Sequence, residues 1–173
     1  MNAVIRYLLF IFNNFKRCII KGSLLRKESH MSCYIAHSVV NGQGTMQNID
    51  LAVKKGFAMA HKLASDKKAN LLVFVPKIQD LSAGRLSSAL SQSFVDSLKK
   101  PAPFEINGIN ISRTSTVPRS VPPNTVVWML WPSLRDAEDM TKASYGQVDI
   151  VATEWLPFDE LSRWKRDNKA KAI

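Results

Sequence analysis

Three hydrophobic runs in this chain each stop at a proline, and that pattern constrains the fold more than any other feature. They are residues 71–76 (LLVFVP), 125–132 (TVVWMLWP) and 148–157 (VDIVATEWLP). In the second run, six of eight residues are Val, Trp, Met or Leu, with no polar alternation. A short apolar run rich in β-branched and aromatic residues reads as a strand covered on both faces. Proline lacks the N–H that a central strand needs, so it marks the strand's end. Each run precedes a helix-like segment, and that alternation predicts an α/β layer protein.

The segments between the runs agree. Residues 32–40 (SCYIAHSVV) read as a first strand, and Asn41-Gly42-Gln43-Gly44 supplies turn residues. A helix over 46–65 then places Ile49, Ala52, Val53, Gly56, Phe57, Ala60 and Leu63 on one face. A second helix over 82–99 carries Leu86, Leu90, Phe94 and Leu98 on one stripe. Asn107-Gly108, between short alternating runs in FEINGINI (104–111), predicts a type I′ hairpin at the edge of the sheet. Residues 112–124, with three prolines and two arginines, read as an irregular loop. Ser133 is placed to cap a helix running to 144, with Asp136 at the third position of a capping box. Pro157 opens a last helix, and the basic tail RWKRDNKAKAI is expected to fray.

The expected fold is a three-layer Rossmann-like sandwich, with a mostly parallel sheet and one inserted β-hairpin. Parallel neighbours require right-handed crossovers, which put helices on both faces. At 173 residues the chain is long enough for one domain with a sizeable core.

The net charge of +10 divides evenly. Residues 1–30 hold six Lys/Arg and one Glu; residues 31–173 hold eighteen Lys/Arg and thirteen Asp/Glu. Half the basic excess therefore sits in a short amphipathic head, where Val4, Leu8, Phe12, Phe15 and Ile19 would share one side of a helix. Its apolar run Tyr7 to Phe12 is too short to span a membrane, which takes about 20 residues. Lys27-Glu28, followed by two residues and Met31, matches the coding pattern of a bacterial ribosome-binding sequence and start. The expectation is a single α/β domain over 31–173 preceded by a basic extension that is not native to it. Two cysteines, Cys18 and Cys33, make no metal motif or disulfide framework, which fits a reducing, cytoplasmic setting.

Ligands of open α/β sheets bind beyond the carboxyl ends of the strands. Those ends fall here at residues 41–45, 77–85, 131–133 and 154–158. Gly42, Gly44 and Thr45 outline an anion-binding turn before a helix. They match only part of a dinucleotide fingerprint, because Gln47 stands where the third glycine belongs. Arg85 opens a helix on the same rim and is a candidate phosphate or carboxylate binder. Glu154, beside Trp155, is the candidate catalytic carboxylate. His37 and His61 fall in no metal spacing and read as structural. Trp128 and Trp131, three apart in a strand, are expected on opposite faces.

The leading function is a small-molecule-binding domain for a phosphorylated or nucleotide-like ligand, held by Gly42, Gly44, Thr45 and Arg85. One alternative is an interaction protein of a nucleic-acid-associated assembly, using Arg113, Arg119 and a tail in which Trp164 stacks on bases. The other is a hydrolase or transferase using Glu154. The cofactor is not specified by any motif.

Overall fold

A computed structural model of the chain describes residues 31–37, 39–40, 43–44, 46–82, 84–155 and 160–173. The basic extension at 1–30 lies outside them. Strand β1 (Cys33–Ala36) is followed by β2 (Val39–Val40), β3 (Gln43–Gly44) and helix α1 (Met46–Lys67). Then come β4 (Asn70–Phe74), a 3-10 turn (Ile78–Ser82), α2 (Arg85–Ala89), α3 (Gln92–Lys99), β5 (Phe104–Ile106) and β6 (Ile109–Thr114). The chain closes with β7 (Thr125–Leu130), α4 (Leu134–Ala143), β8 (Asp149–Thr153), α5 (Ser162–Asp167) and β9 (Lys171–Ala172).

Seven strands form one sheet in the order β5-β6-β4-β7-β8-β1-β9. Every neighbouring pair is parallel except β5 and β6, which form the antiparallel hairpin at the edge. The fold is the expected three-layer Rossmann-like sandwich. Asn107 and Gly108 both have positive φ, 51° and 78°, as a type I′ turn requires.

β7 lies at the centre, and all six of its residues are buried. Its side chains alternate between two cores. Val126, Trp128 and Leu130 face the layer of α1, α2 and α3. Val127 and Met129 face Ala137 and Met140 of α4 and Trp164 of α5. The absence of polar alternation in TVVWML is thus the sequence record of two covered faces.

Several expectations are corrected. The first strand is shorter: β1 ends at Ala36, and β2 pairs antiparallel with β3 in a separate small ladder. The helix expected over 82–99 is two helices. Leu90 turns extended, with φ −116°, and Ser91 caps α3 by accepting a hydrogen bond from Phe94 N at 3.2 Å. β6 runs on to Thr114, three residues into the expected loop, because it pairs with β4 from Leu71↔Ile111 to Phe74↔Thr114. The tail does not fray. Trp164 is fully buried, its indole N–H donates to Thr141 Oγ1 at 2.8 Å, and β9 adds a parallel edge strand beside β1.

The strand order decides where the connections lie. From β1 to β4 and from β4 to β6 the chain moves toward the β5 edge, with its helices on the α1 face. From β7 to β8 and from β8 to β9 it moves the other way, with α4 and α5 on the opposite face. Right-handed crossovers require that reversal. Among neighbouring strands that are followed by helices, β4 and β7, and β8 and β1, send those helices to opposite faces. Each pair opens a crevice at the carboxyl rim of the sheet.

Candidate functional site

A cleft of about 350 Å³ occupies the first crevice. Pro76, Lys77 and Asp80 enter it after β4; Trp131, Pro132, Ser133 and Asp136 after β7; Glu154, Trp155, Glu160 and Leu161 after β8. Pro76 and Pro132, the prolines that follow β4 and β7, lie on this rim, and Pro157 falls outside the described residues.

Trp131 is the first residue past β7 and takes a left-handed φ of 53°. That conformation is uncommon for a large side chain. Its N–H donates to Thr153 O at 2.8 Å, which holds the departing backbone against β8. Having left the strand, Trp131 no longer follows its alternation. It packs against the same core as Trp128, contrary to the expectation of opposite faces. Its ring meets Trp155 edge to face, with centroids 4.7 Å apart at 72°. The buried indole N–H of Trp131 finds no acceptor among the described residues.

The carboxylates here are held by the helix starts. Asp136 accepts hydrogen bonds from Ser133 N at 3.1 Å and Ser133 Oγ at 2.7 Å. Ser133 Oγ in turn accepts from Asp136 N at 3.1 Å, completing the capping box. Glu160 accepts from Leu134 N at 3.3 Å. The first turn of α4 is thus already answered by two protein carboxylates, and its dipole is locally offset.

The second crevice holds a chain of three titratable side chains. Glu154, the residue after β8, is only 4% exposed. Its N–H donates to Ala36 O at 3.0 Å, which fixes it beside the end of β1. One carboxylate oxygen accepts from Leu161 N at 3.3 Å; the other lies 2.7 Å from His37 Nδ1. His37 Nε2 lies 3.1 Å from Lys165 Nζ on α5. An ammonium can only donate, so its partner Nε2 must accept, and Nδ1 carries the proton given to Glu154. The geometry thereby assigns the tautomer: Lys165 to His37 to Glu154.

Of the residues expected at the site, Glu154 lines the cleft. Gly44 pairs with Val39 in the small ladder, two residues before α1 begins. Arg85 opens α2 after Gly84 (φ 75°), and its side chain lies outside the described positions, as do Gly42 and Thr45. Arg113 is committed elsewhere, its Nε donating to Leu98 O at 2.8 Å at the end of α3. His37 reads in the sequence as structural and Lys165 as a phosphate contact of the basic tail; their place beside Glu154 was not expected. The only sequence signal was that His37 and Glu154 each directly follow an apolar strand. Their contact spans 117 positions and needs the β8–β1 adjacency, which no local pattern encodes.

Two other buried polar groups have structural roles. Asp149, 2% exposed, accepts from Ser32 N at 3.0 Å and pairs with Lys67 at 2.5 Å. Burial, with the nearby Asp149 carboxylate adding to it, pushes the Cys33 thiol up to about 12. The described residues contain no group of three or more His, Cys, Asp or Glu able to hold a metal ion. No helix among them is long and apolar enough to cross a membrane.

No family model, curated protein or solved structure matches the chain.

Proposed function

We propose that the protein is a small-molecule-binding α/β domain that takes a phosphorylated or nucleotide-like ligand over the crevice between β4 and β7. The observation that carries this reading is the cleft of about 350 Å³ at that point, walled by two indoles and rimmed by carboxylates. A base or similar flat ring packs on Trp155. Sugar hydroxyls and exocyclic amines are donors, and they suit Asp80 and Glu160. With the first turn of α4 already capped, the phosphate falls to the turn at Gly42, Gly44 and Thr45, on the β1 side of the rim, with Arg85 as a further cation. A cytoplasmic setting goes with this reading, because a free thiol such as Cys33 persists in a reducing compartment.

The nucleic-acid alternative loses its stacking residue, since Trp164 is sealed between α4 and the sheet.

Thermal shift and tryptophan fluorescence with nucleosides, mono- and dinucleotides test the proposal. A ligand at 100 times its Kd should stabilise the fold by about 2.7 kcal/mol. Trp155→Ala should weaken binding by a factor of roughly 5 to 150, the worth of one stacked base. Absence of stabilisation by every member of the panel would overturn the reading.

A further inference from the structure

We propose that His37, Glu154 and Lys165 form a hydrolytic site for a phosphate ester, one strand over from the cleft. The proposal rests on the ligand reading above and gives that ligand's phosphate a fate.

Glu154 joins the two crevices. It lines the cleft at the end of β8 and is hydrogen-bonded to His37 beyond β1. Adjacent strands lie about 4.8 Å apart, so a ligand seated over β4, β7 and β8 has only one strand to cross before it reaches the imidazole.

The three groups divide the work. Glu154 is 4% exposed and fixed by Leu161 N, so its remaining strong acceptor oxygen is aimed at Nδ1–H. It holds the imidazole in one tautomer and supports positive charge on the ring, and it is a positioning residue. His37 has its side chain 25% exposed, and Nε2 is the ring nitrogen that Glu154 does not engage. Lys165 now covers its lone pair at 3.1 Å. A phosphoryl oxygen is a better partner for the ammonium than a neutral imidazole nitrogen. An arriving phosphate ester therefore draws Lys165 onto a non-bridging oxygen and uncovers Nε2.

The reaction then balances with water alone. Nε2 accepts a proton from a water molecule as its oxygen bonds to phosphorus. The bond from phosphorus to the ester oxygen breaks. The imidazolium returns the proton to the leaving alkoxide, giving an alcohol and, from a monoester, inorganic phosphate or, from a diester, a phosphate monoester. Lys165 offsets the charge that builds on the phosphoryl oxygens.

The test uses the full chain with p-nitrophenyl phosphate and bis(p-nitrophenyl) phosphate as probes. Release of p-nitrophenolate is expected from at least one of them. His37→Gln should lower kcat by about 100-fold or more, within the usual range for a general base. Lys165→Met should chiefly raise KM. Glu154→Gln should lower kcat with the fold retained. Carbethoxylation of His37 by diethyl pyrocarbonate, followed by peptide mass mapping, reads the lone pair directly. It should be faster in Lys165→Met, where Nε2 is uncovered, and slower in Glu154→Gln, and these two variants decide the matter if His37→Gln does not fold.

No turnover of either probe, or turnover and labelling indifferent to all three substitutions, overturns the proposal. Nucleotide binding without turnover sinks this inference and leaves the ligand reading standing. His37-dependent turnover without nucleotide binding supports the site and sinks the ligand reading.

Discussion

At Gly56 the missing side chain is dictated by a neighbour 97 positions away. A methyl group there would collide with Thr153 Oγ1 and come within 2.9 Å of Trp128 Nε1. Those two atoms form a buried 2.9 Å hydrogen bond, and the bare helix backbone lies over it. Gly56→Ala gains about 1 kcal/mol in helix propensity. Overpacking costs typically about 1–3 kcal/mol, and the displaced bond adds to it. Urea denaturation should therefore show net destabilisation, and Thr153→Ala in the same chain should recover part of it. At Cys33 the sign is set by burial. The unfolded thiol ionises near 9.0, while the folded one is pushed up to about 12. The folded state keeps a proton that the unfolded chain has lost, so stability falls as pH rises from the first value toward the second. In Cys33→Ala that part of the alkaline slope should vanish from urea midpoints measured across the same range. Thiol reagents should label Cys33 only on unfolding.

Elements begin and end where local chemistry says they should, except where a tertiary partner outweighs it. The α4 capping box is local: Ser133 and Asp136 exchange hydrogen bonds within one turn, and the Ser and Asp three residues apart announce it in the sequence. Ser133→Ala should cost about 1 kcal/mol, the usual worth of an N-cap. It should also loosen the cleft wall that α4 supplies, so Trp155 fluorescence should change as the stability falls. The break between α2 and α3 is equally local, but the hydrophobic pattern hides it. Ser91 is a good N-cap, yet Leu86, Leu90, Phe94 and Leu98 keep helical spacing straight through it. A hydrophobic stripe survives a kink when both pieces pack on the same face of the sheet. The length of β6 was not local at all: Ser112, Arg113 and Thr114 have weak strand character and are held extended by pairing with β4.

Over the whole molecule, strand order creates the site. β1 sits between β8 and the terminal β9, so the first and last thirds of the chain close the sheet together. Ile173 N donates to Ile35 O at 3.0 Å at that edge. Deleting residues 171–173 removes the outer partner of β1. It should cost roughly 1–4.5 kcal/mol, for two or three backbone hydrogen bonds at about 0.5–1.5 each. Hydrogen exchange should show lost protection at β1 well before β7, which is covered on both sides. The same truncation leaves Lys165 and α5 in place, so the spacing from Lys165 to His37 should survive it.

The amino-acid pattern alone determined the layer architecture, the buried β7, the edge hairpin at Asn107-Gly108 and the helix start at Ser133. Each is a matter of hydrophobic period or of backbone angles set by neighbours within a few residues. It also placed Glu154 on the ligand-bearing rim, because a strand end is visible as the end of an apolar run. Tertiary structure decided what Glu154 touches, why position 56 must be glycine, and that the basic tail is a helix and strand holding a sealed Trp164. Those outcomes depend on which strands lie side by side, and adjacency between β8 and β1 is fixed by the packing of two helix layers on one sheet. No short stretch of sequence carries that information.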